Sequence, residues 1–264
     1  MEPISEIRSA VRNKSPLIHC ITNPISINSC ANVILTAGGR PIMAEHPEEA
    51  AIVTSSAGAV MLNLGNITDV RKQSMMISAS EAVSKGIPFV LDVCGAACLP
   101  TRRLYALELI SRYTPSVVKG NYSEITALLH EDHFSSGVDA DAALTAEAVS
   151  ITAVTLAKKF GTVILASGKT DIVTDGSSLA LINNGSPQLG TITGTGCMQG
   201  ALCAAYLSAG TALDAAIAAS TVFSICGQLA ETDKGSGTFG VNLLDALSTV
   251  TDEQINRLAD VIVR

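Results

Sequence analysis

The segment "PLIHCITNPISINSCANVILTAGGRPIMA" (16–44) decides the architecture. "PLIHCIT" (16–22) is apolar and of strand length. "SINSCANVILTAG" (26–38) follows with a helical pattern that stops at glycine, and "RPIMA" (40–44) is a second short strand. The rhythm continues. "AVMLNLG" (59–65), "PFVLDV" (88–93), "SVVKGN" (116–121), "TVILAS" (162–167) and "DIVTDG" (171–176) read as strands. Between them lie helical patterns, among them "HPEEAAIVTSSAG", "TDVRKQSMMISASEAVSKG", "TRRLYALELISRY" and "DAALTAEAVSITAVTLAKKF". Strands alternating with long helices imply crossover connections and a mostly parallel sheet with helices on both faces. "SLALINNGSPQLG" (178–190) breaks the rhythm and predicts an added antiparallel strand and loop. The last 65 residues read as helical to the end of "TDEQINRLADVIV", with Thr251 and Gln254 spaced as a capping box. No linker or composition shift divides the chain, which predicts a single domain over 1–264.

Composition agrees. Hydrophobic residues make up 47% of the 264 residues, only 3% are aromatic, and there is no Trp. Such a core is built from Ala, Val, Ile and Leu, as in helices covering a parallel sheet. A net charge of −7 and the lack of any basic run argue against nucleic-acid and anionic-membrane surfaces. The apolar run "GALCAAYLSAGTALDAAIAASTVFSICGQLA" is membrane-length, but Gly210 and Asp214 interrupt it, predicting two buried helices. The polar N-terminus lacks a secretory signal. Seven cysteines in apolar surroundings suit reduced thiols in a cytoplasmic protein. Cys94 and Cys98 are spaced C-x3-C without a partner pair to complete a zinc site. His130 and His133 in "HEDH" read as a solvated turn.

In open parallel sheets ligands gather at the carboxyl ends of the strands, and polar residues fall there. Thr22 and Asn23 follow the first strand, Met43 the second, Asn63 and Gly65 the third. Asp92 ends the fourth, Lys119 and Asn121 the fifth, Ser167 and Gly168 the sixth. "SGKT" (167–170) lacks the upstream glycine of a P-loop, since position 163 is Val. "TITGTGCMQG" (191–200) reads as a turn feeding a helix N-terminus, a natural anion seat. Too few residues follow it for a dinucleotide domain. In "GNYSEI" (120–125), Asn121 and Glu124 suit either an N-cap with a first-turn acid or a magnesium site near a triphosphate. Asp92 is either a second carboxylate for that cation or a helix cap.

Taken with "MLNLGN", "LDVCGAA", "GVDA", "SGKTDIVTDG" and "GSGTFGVNLLDAL", these stretches resemble, in order, the hydroxyethylthiazole kinase family of thiamine salvage, within the ribokinase-like superfamily. The similarity runs from Pro16 to Leu247. "HxITN" with "PxMAxxPEE" is specific to that family, whereas "GTGC" and "NxxE" are shared more widely. The resemblance implies a three-layer α/β fold without a separate lid domain. It also implies a kinase that moves the γ-phosphoryl of ATP to the primary hydroxyl of the thiazole, in homotrimers with sites between subunits. By the same resemblance, Met43 and Gly194 contact the thiazole alcohol with Asn23 nearby, and Lys119 and Ser167 touch the phosphates. Asp92 and Glu124 organise Mg2+, and the amides from Thr195 through Gly196 to Cys197 cradle the migrating group. Most superfamily relatives carry Asp where this chain has Cys197. The thiol either accepts the substrate proton, its pKa lowered at the helix start, or only shapes the pocket. Where the family usually reads "LDPVGAGA" this chain reads "LDVCGAAC", and Cys20 replaces the usual Asn. Those departures leave open a kinase for another small heterocyclic alcohol, or a non-catalytic thiazole- or nucleotide-binding homologue. A redox pair of Cys94 and Cys98 is a third alternative.

Overall fold

The computed structural model describes residues 2–130, 133 and 144–264. The "GVDA" stretch and the middle of "HEDH" lie outside them. One nine-stranded sheet runs through the molecule in the order β2-β1-β3-β4-β5-β6-β7-β8-β9. Strands β1 (Leu17–Ile21), β2 (Arg40–Ile42), β3 (Ala59–Asn63), β4 (Phe89–Asp92), β5 (Val117–Asn121) and β6 (Val163–Ser167) are parallel. β7 (Asp171–Thr174), β8 (Leu179–Ile182) and β9 (Val261–Val263) extend it antiparallel. β9 corrects the sequence reading. The last apolar residues leave the helix after Leu258 and pair with β8, capping an edge that would otherwise expose its backbone groups.

Two helical layers cover the sheet, and the period of two along each strand sorts its side chains between them. Cys20, Met61, Val90, Val117 and Leu165 face α1 (Ile4–Lys14), α2 (Ile27–Ala37), α8 (Thr195–Leu207), α9 (Ala212–Leu229) and α10 (Ser236–Thr249). Ile21, Leu62, Leu91, Val118 and Ile164 face α4 (Asp69–Lys85), α5 (Pro100–Tyr113), α6 (Tyr122–Leu129) and α7 (Ala146–Phe160). α3 (Pro47–Ser55) packs beside α4. The long apolar run splits as expected: Thr211 caps α9 and Asp214 sits in its first turn. α9 has the length and composition to cross a membrane, yet 72% of it is buried inside the protein. A short α11 (Asp252–Leu258) begins with the Thr251–Gln254 capping box.

Candidate active site

Sheet register lines up the polar strand ends. Asn63 pairs beside Asp92, Asp92 beside Lys119, and Asn121 beside Ser167. Asp92, Lys119 and Ser167 each stand two residues beyond a side chain of the α8 face (Val90, Val117, Leu165), so alternation turns them toward α8. The chain enters α8 through Gly194, at φ +88°. A Cβ there would stand 3.1 Å from that of Ser26, so a tight approach and a left-handed backbone both call for glycine. Gly196 brings the first turn so close to Lys119 that a Cβ would lie 3.0 Å from Nζ.

These elements enclose a cavity of about 660 Å³. Nine of the ten predicted site residues line it: Asn23, Asp92, Lys119, Glu124, Ser167, Gly194, Thr195, Gly196 and Cys197. Met43 does not; it is half-buried against the core on the α8 side. Its loop is nonetheless fixed. The His19 Nε2–H donates to the Ala44 carbonyl (2.9 Å), and Nδ1 pairs with the Thr54 hydroxyl (2.8 Å). A second cavity of about 590 Å³ shares Ser167, Thr195 and Gly196 with the first and continues past Gly168, Lys169, Asn183 and Phe223.

The charges follow from burial. Lys119 Nζ lies 3.6 Å from Asp92 Oδ2, both nearly inaccessible. Neither Asp92 oxygen accepts a well-formed hydrogen bond, although the Asn63 amide and the Cys94 N–H stand close enough to favour its charge. Burial pushes the Asp92 carboxyl above its usual range against the pull of Lys119. Burial pulls the Lys119 ammonium down, but Asp92 and Glu124 outweigh it and hold its pKa above the ordinary value. Glu124 completes a capping box with Asn121. Its Oε2 accepts the Asn121 N–H and its Oε1 the Gly95 N–H, both at 2.7 Å. Burial, then the Asp92 charge, raise its pKa to about 7. Glu124 thereby pins the loop in which this chain departs from "LDPVGAGA", and Gly95 there has φ +79°.

Cys197, in the first turn of α8, is an acceptor. Its sulfur receives the amides of Asn63 (3.3 Å) and Asn23 (3.5 Å). The neighbouring Cys94 thiol is the largest influence holding Cys197 down to about 7. Lys119 and Ser26 assist, against burial and Asp92. Cys98 turns away and donates to the Gly95 carbonyl (3.4 Å). Sequence reasoning did not place Cys94 in the same cavity as Cys197, a neighbourhood no spacing announces. It also missed Arg102, which lines the cavity from a helix whose pattern reads as amphipathic.

A buried carboxylate with no well-formed hydrogen bond, beside a lysine and a helix start, suits a cation that completes its shell with phosphate oxygens and water. Among the described residues no three His, Cys, Asp or Glu side chains converge as a closed metal cage. Magnesium bound through one or two carboxylates and a substrate's phosphates needs none.

Comparisons with known proteins identify the family and the fold. A model of the hydroxyethylthiazole kinase family matches residues 8–253. "Hydroxyethylthiazole kinase 2" of Clostridium botulinum (strain Langeland) is 42% identical over 255 residues, 95% of this chain and 96% of that protein. The structure of a hydroxyethylthiazole kinase protein from Pyrococcus horikoshii OT3 superposes with a TM-score of 0.92 at 34% identity, covering 100% of both chains. A ribokinase-like superfamily protein from Enterococcus faecalis superposes with a TM-score of 0.65 at 15% identity, over 94% of this chain and 89% of that one, a likeness of fold alone.

Proposed function

The chain belongs to the hydroxyethylthiazole kinase family, and on that premise we propose that it transfers the γ-phosphoryl group of ATP to the primary hydroxyl of hydroxyethylthiazole in thiamine salvage. One observation carries the reading. The start of α8, the Lys119 ammonium and the buried Asp92 carboxylate meet in one cavity. Phosphoryl transfer asks mainly for positioning and charge neutralisation, and this arrangement supplies both.

The shared wall of the two cavities orders the substrates. Ser167, Thr195 and Gly196 border both, so the triphosphate lies along that seam. The nucleoside then occupies the side of Gly168, Asn183 and Phe223. The acceptor alcohol lies on the side of Asn23, Gly194 and Cys197, and Met43 reaches it from a neighbouring subunit of a homotrimer. Asp92 would hold Mg2+, with Glu124 nearby as a second carboxylate, and the ion would supply neutralisation of phosphate charge. Lys119 and the amides of Thr195 to Cys197 steady the migrating phosphoryl group. Cys197, poised near neutrality among amide donors, takes the hydroxyl proton. The enzyme works in the cytoplasm, where its thiols stay reduced.

Steady-state assays decide the reading. ADP should form only when ATP, magnesium and hydroxyethylthiazole are all present. Folded protein that yields none across a range of pH refutes the kinase assignment. A panel of heterocyclic alcohols ranked by kcat/KM tests the acceptor. Light scattering should return three times the 27.2 kDa chain mass.

A further inference from the structure

The proposed chemistry leaves Arg102 without a task, although it lines the phosphoryl-transfer cavity. The described charged residues of that lining are Asp92, Glu124, Lys119 and Arg102. Without Arg102, two carboxylates would face a single lysine, the wrong balance for a wall that receives a triphosphate. Its place is also unfavourable for the helix that carries it. Arg102 sits in the first turn of α5, which holds no acidic residue, and the positive end of a helix disfavours a cation.

Local geometry lays the guanidinium over the loop after β4. Nη1 donates to the Cys94 carbonyl at 3.4 Å, a long and weak hydrogen bond. Gly95 makes the room, because a Cβ there would collide with Nη1 and stand 3.2 Å from Cδ and Cζ. The Gly95 N–H is held in turn by Glu124 Oε1. On the other edge of the guanidinium, Nε is buried and has no acceptor. Among the described residues no carboxylate pairs with Arg102. A buried N–H left without an acceptor in the fold is a cost that a bound group can remove.

We propose that Arg102 binds the terminal phosphoryl group of the nucleotide, presenting the Nε and Nη2 edge of its guanidinium to two of that group's oxygens. The inference rests on the kinase reading. A guanidinium matches phosphate as a planar fork of donors and stays charged at neutral pH. The two cavities say which phosphate it meets. Ser167, Thr195 and Gly196 border both, whereas Arg102 lines only the one on the acceptor side. The inner phosphates therefore lie along the seam, and the end of the triphosphate falls to Arg102. The rival role is a brace, in which Arg102 only steadies the loop through the Cys94 carbonyl.

Calorimetric titration with magnesium and either ADP or AMP-PCP, whose γ-phosphoryl cannot be transferred, separates the two roles without turnover. Arg102→Gln should weaken AMP-PCP roughly tenfold and leave ADP almost unchanged. Arg102→Lys keeps the charge without the fork, so it should recover part of that loss. With ATP and the alcohol, kcat of Arg102→Gln should fall roughly a hundredfold. Equal weakening of both nucleotides makes Arg102 a brace and overturns the proposal, as does unchanged affinity for both; either result leaves the kinase reading intact. Should Arg102→Gln not fold, Arg102→Lys decides in the same titrations, a loss confined to AMP-PCP supporting the proposal and an equal loss or none overturning it. Unaltered protein that binds neither nucleotide refutes the kinase reading and this inference together.

Discussion

Cys197 separates two accounts of the chemistry because its side chain can be altered without touching the amides proposed to hold the phosphoryl group. A general base contributes roughly 10²–10⁴-fold when the reaction uses one. Cys197→Ala should therefore lower kcat by roughly a hundredfold with little change in the KM for ATP, and Cys197→Asp should preserve turnover. The thiolate is the competent form. In the unaltered enzyme kcat/KM should rise with pH and level off above about 7, while the Ala variant shows no such rise. An Ala variant as active as the parent would reduce the thiol to a wall of the pocket. His19 makes a prediction on stability rather than rate. It is fully buried, and burial lowers its pKa below 6.5, so the native state holds it neutral. The unfolded chain takes up a proton that the native state refuses, so this contribution is present above pH 6.5 and declines as pH falls below it. The loss is up to about 1.4 kcal/mol at one pH unit below. Denaturant titrations at pH 7.5 and 5.5 should show it, and the stability gap between the parent and His19→Gln should narrow at the lower pH.

At the scale of elements, the start of α8 is the part on which the site depends. Gly194 enters it with φ +88° and its Cα against Ser26. Gly194→Ala forces a side chain into the left-handed region, at about 1–2 kcal/mol, and presses on the loop that carries Asn23. Its melting temperature should fall and the KM for the alcohol should rise, with a smaller change for ATP. A variant with parental KM values would mean that the turn tolerates another entry. The same helix start shows what a sequence discloses. "TITGTGC" announces turn and helix because glycine chemistry is local, and the strands β1 to β6 are legible because fully buried strands are continuous apolar runs. β9 escaped detection. Its three residues continue the apolar spacing of α11, and only pairing with β8, far earlier in the chain, makes them a strand. The strand ends were readable as a row of polar residues, yet which atoms meet was not. Cys94 and Cys197 come to line one cavity only after β4 and α8 are laid together, and Met43 stands outside the cavity that the other nine predicted residues line.

For the whole molecule, the question is what fixes the helical layer of the site to the sheet. Asp171 opens β7 and is buried. Its Oδ1 accepts the Gly168 N–H (2.9 Å), and its Oδ2 accepts Gln199 Nε2 (2.7 Å) and the Ser220 hydroxyl (2.5 Å). One carboxylate thus binds the β6–β7 turn, α8 and α9 together, directly beneath the cavity assigned to the nucleoside. Burial raises its pKa while those donors pull it back. Asp171→Ala leaves the Gln199 and Ser220 donors without that acceptor, at about 1–3 kcal/mol for each group left unpaired. Asp171→Asn should fare little better, because its amide nitrogen presents hydrogens to groups that themselves donate. Both variants should lose denaturant midpoint, and both should raise the KM for ATP more than that for the alcohol, since Gly168 and Gln199 line the nucleotide side alone. Equal rises in the two KM values would place the loosening at the α8 start shared by both cavities. An unchanged KM for ATP beside a large stability loss would make the tie a brace of the fold with no part in holding the nucleotide.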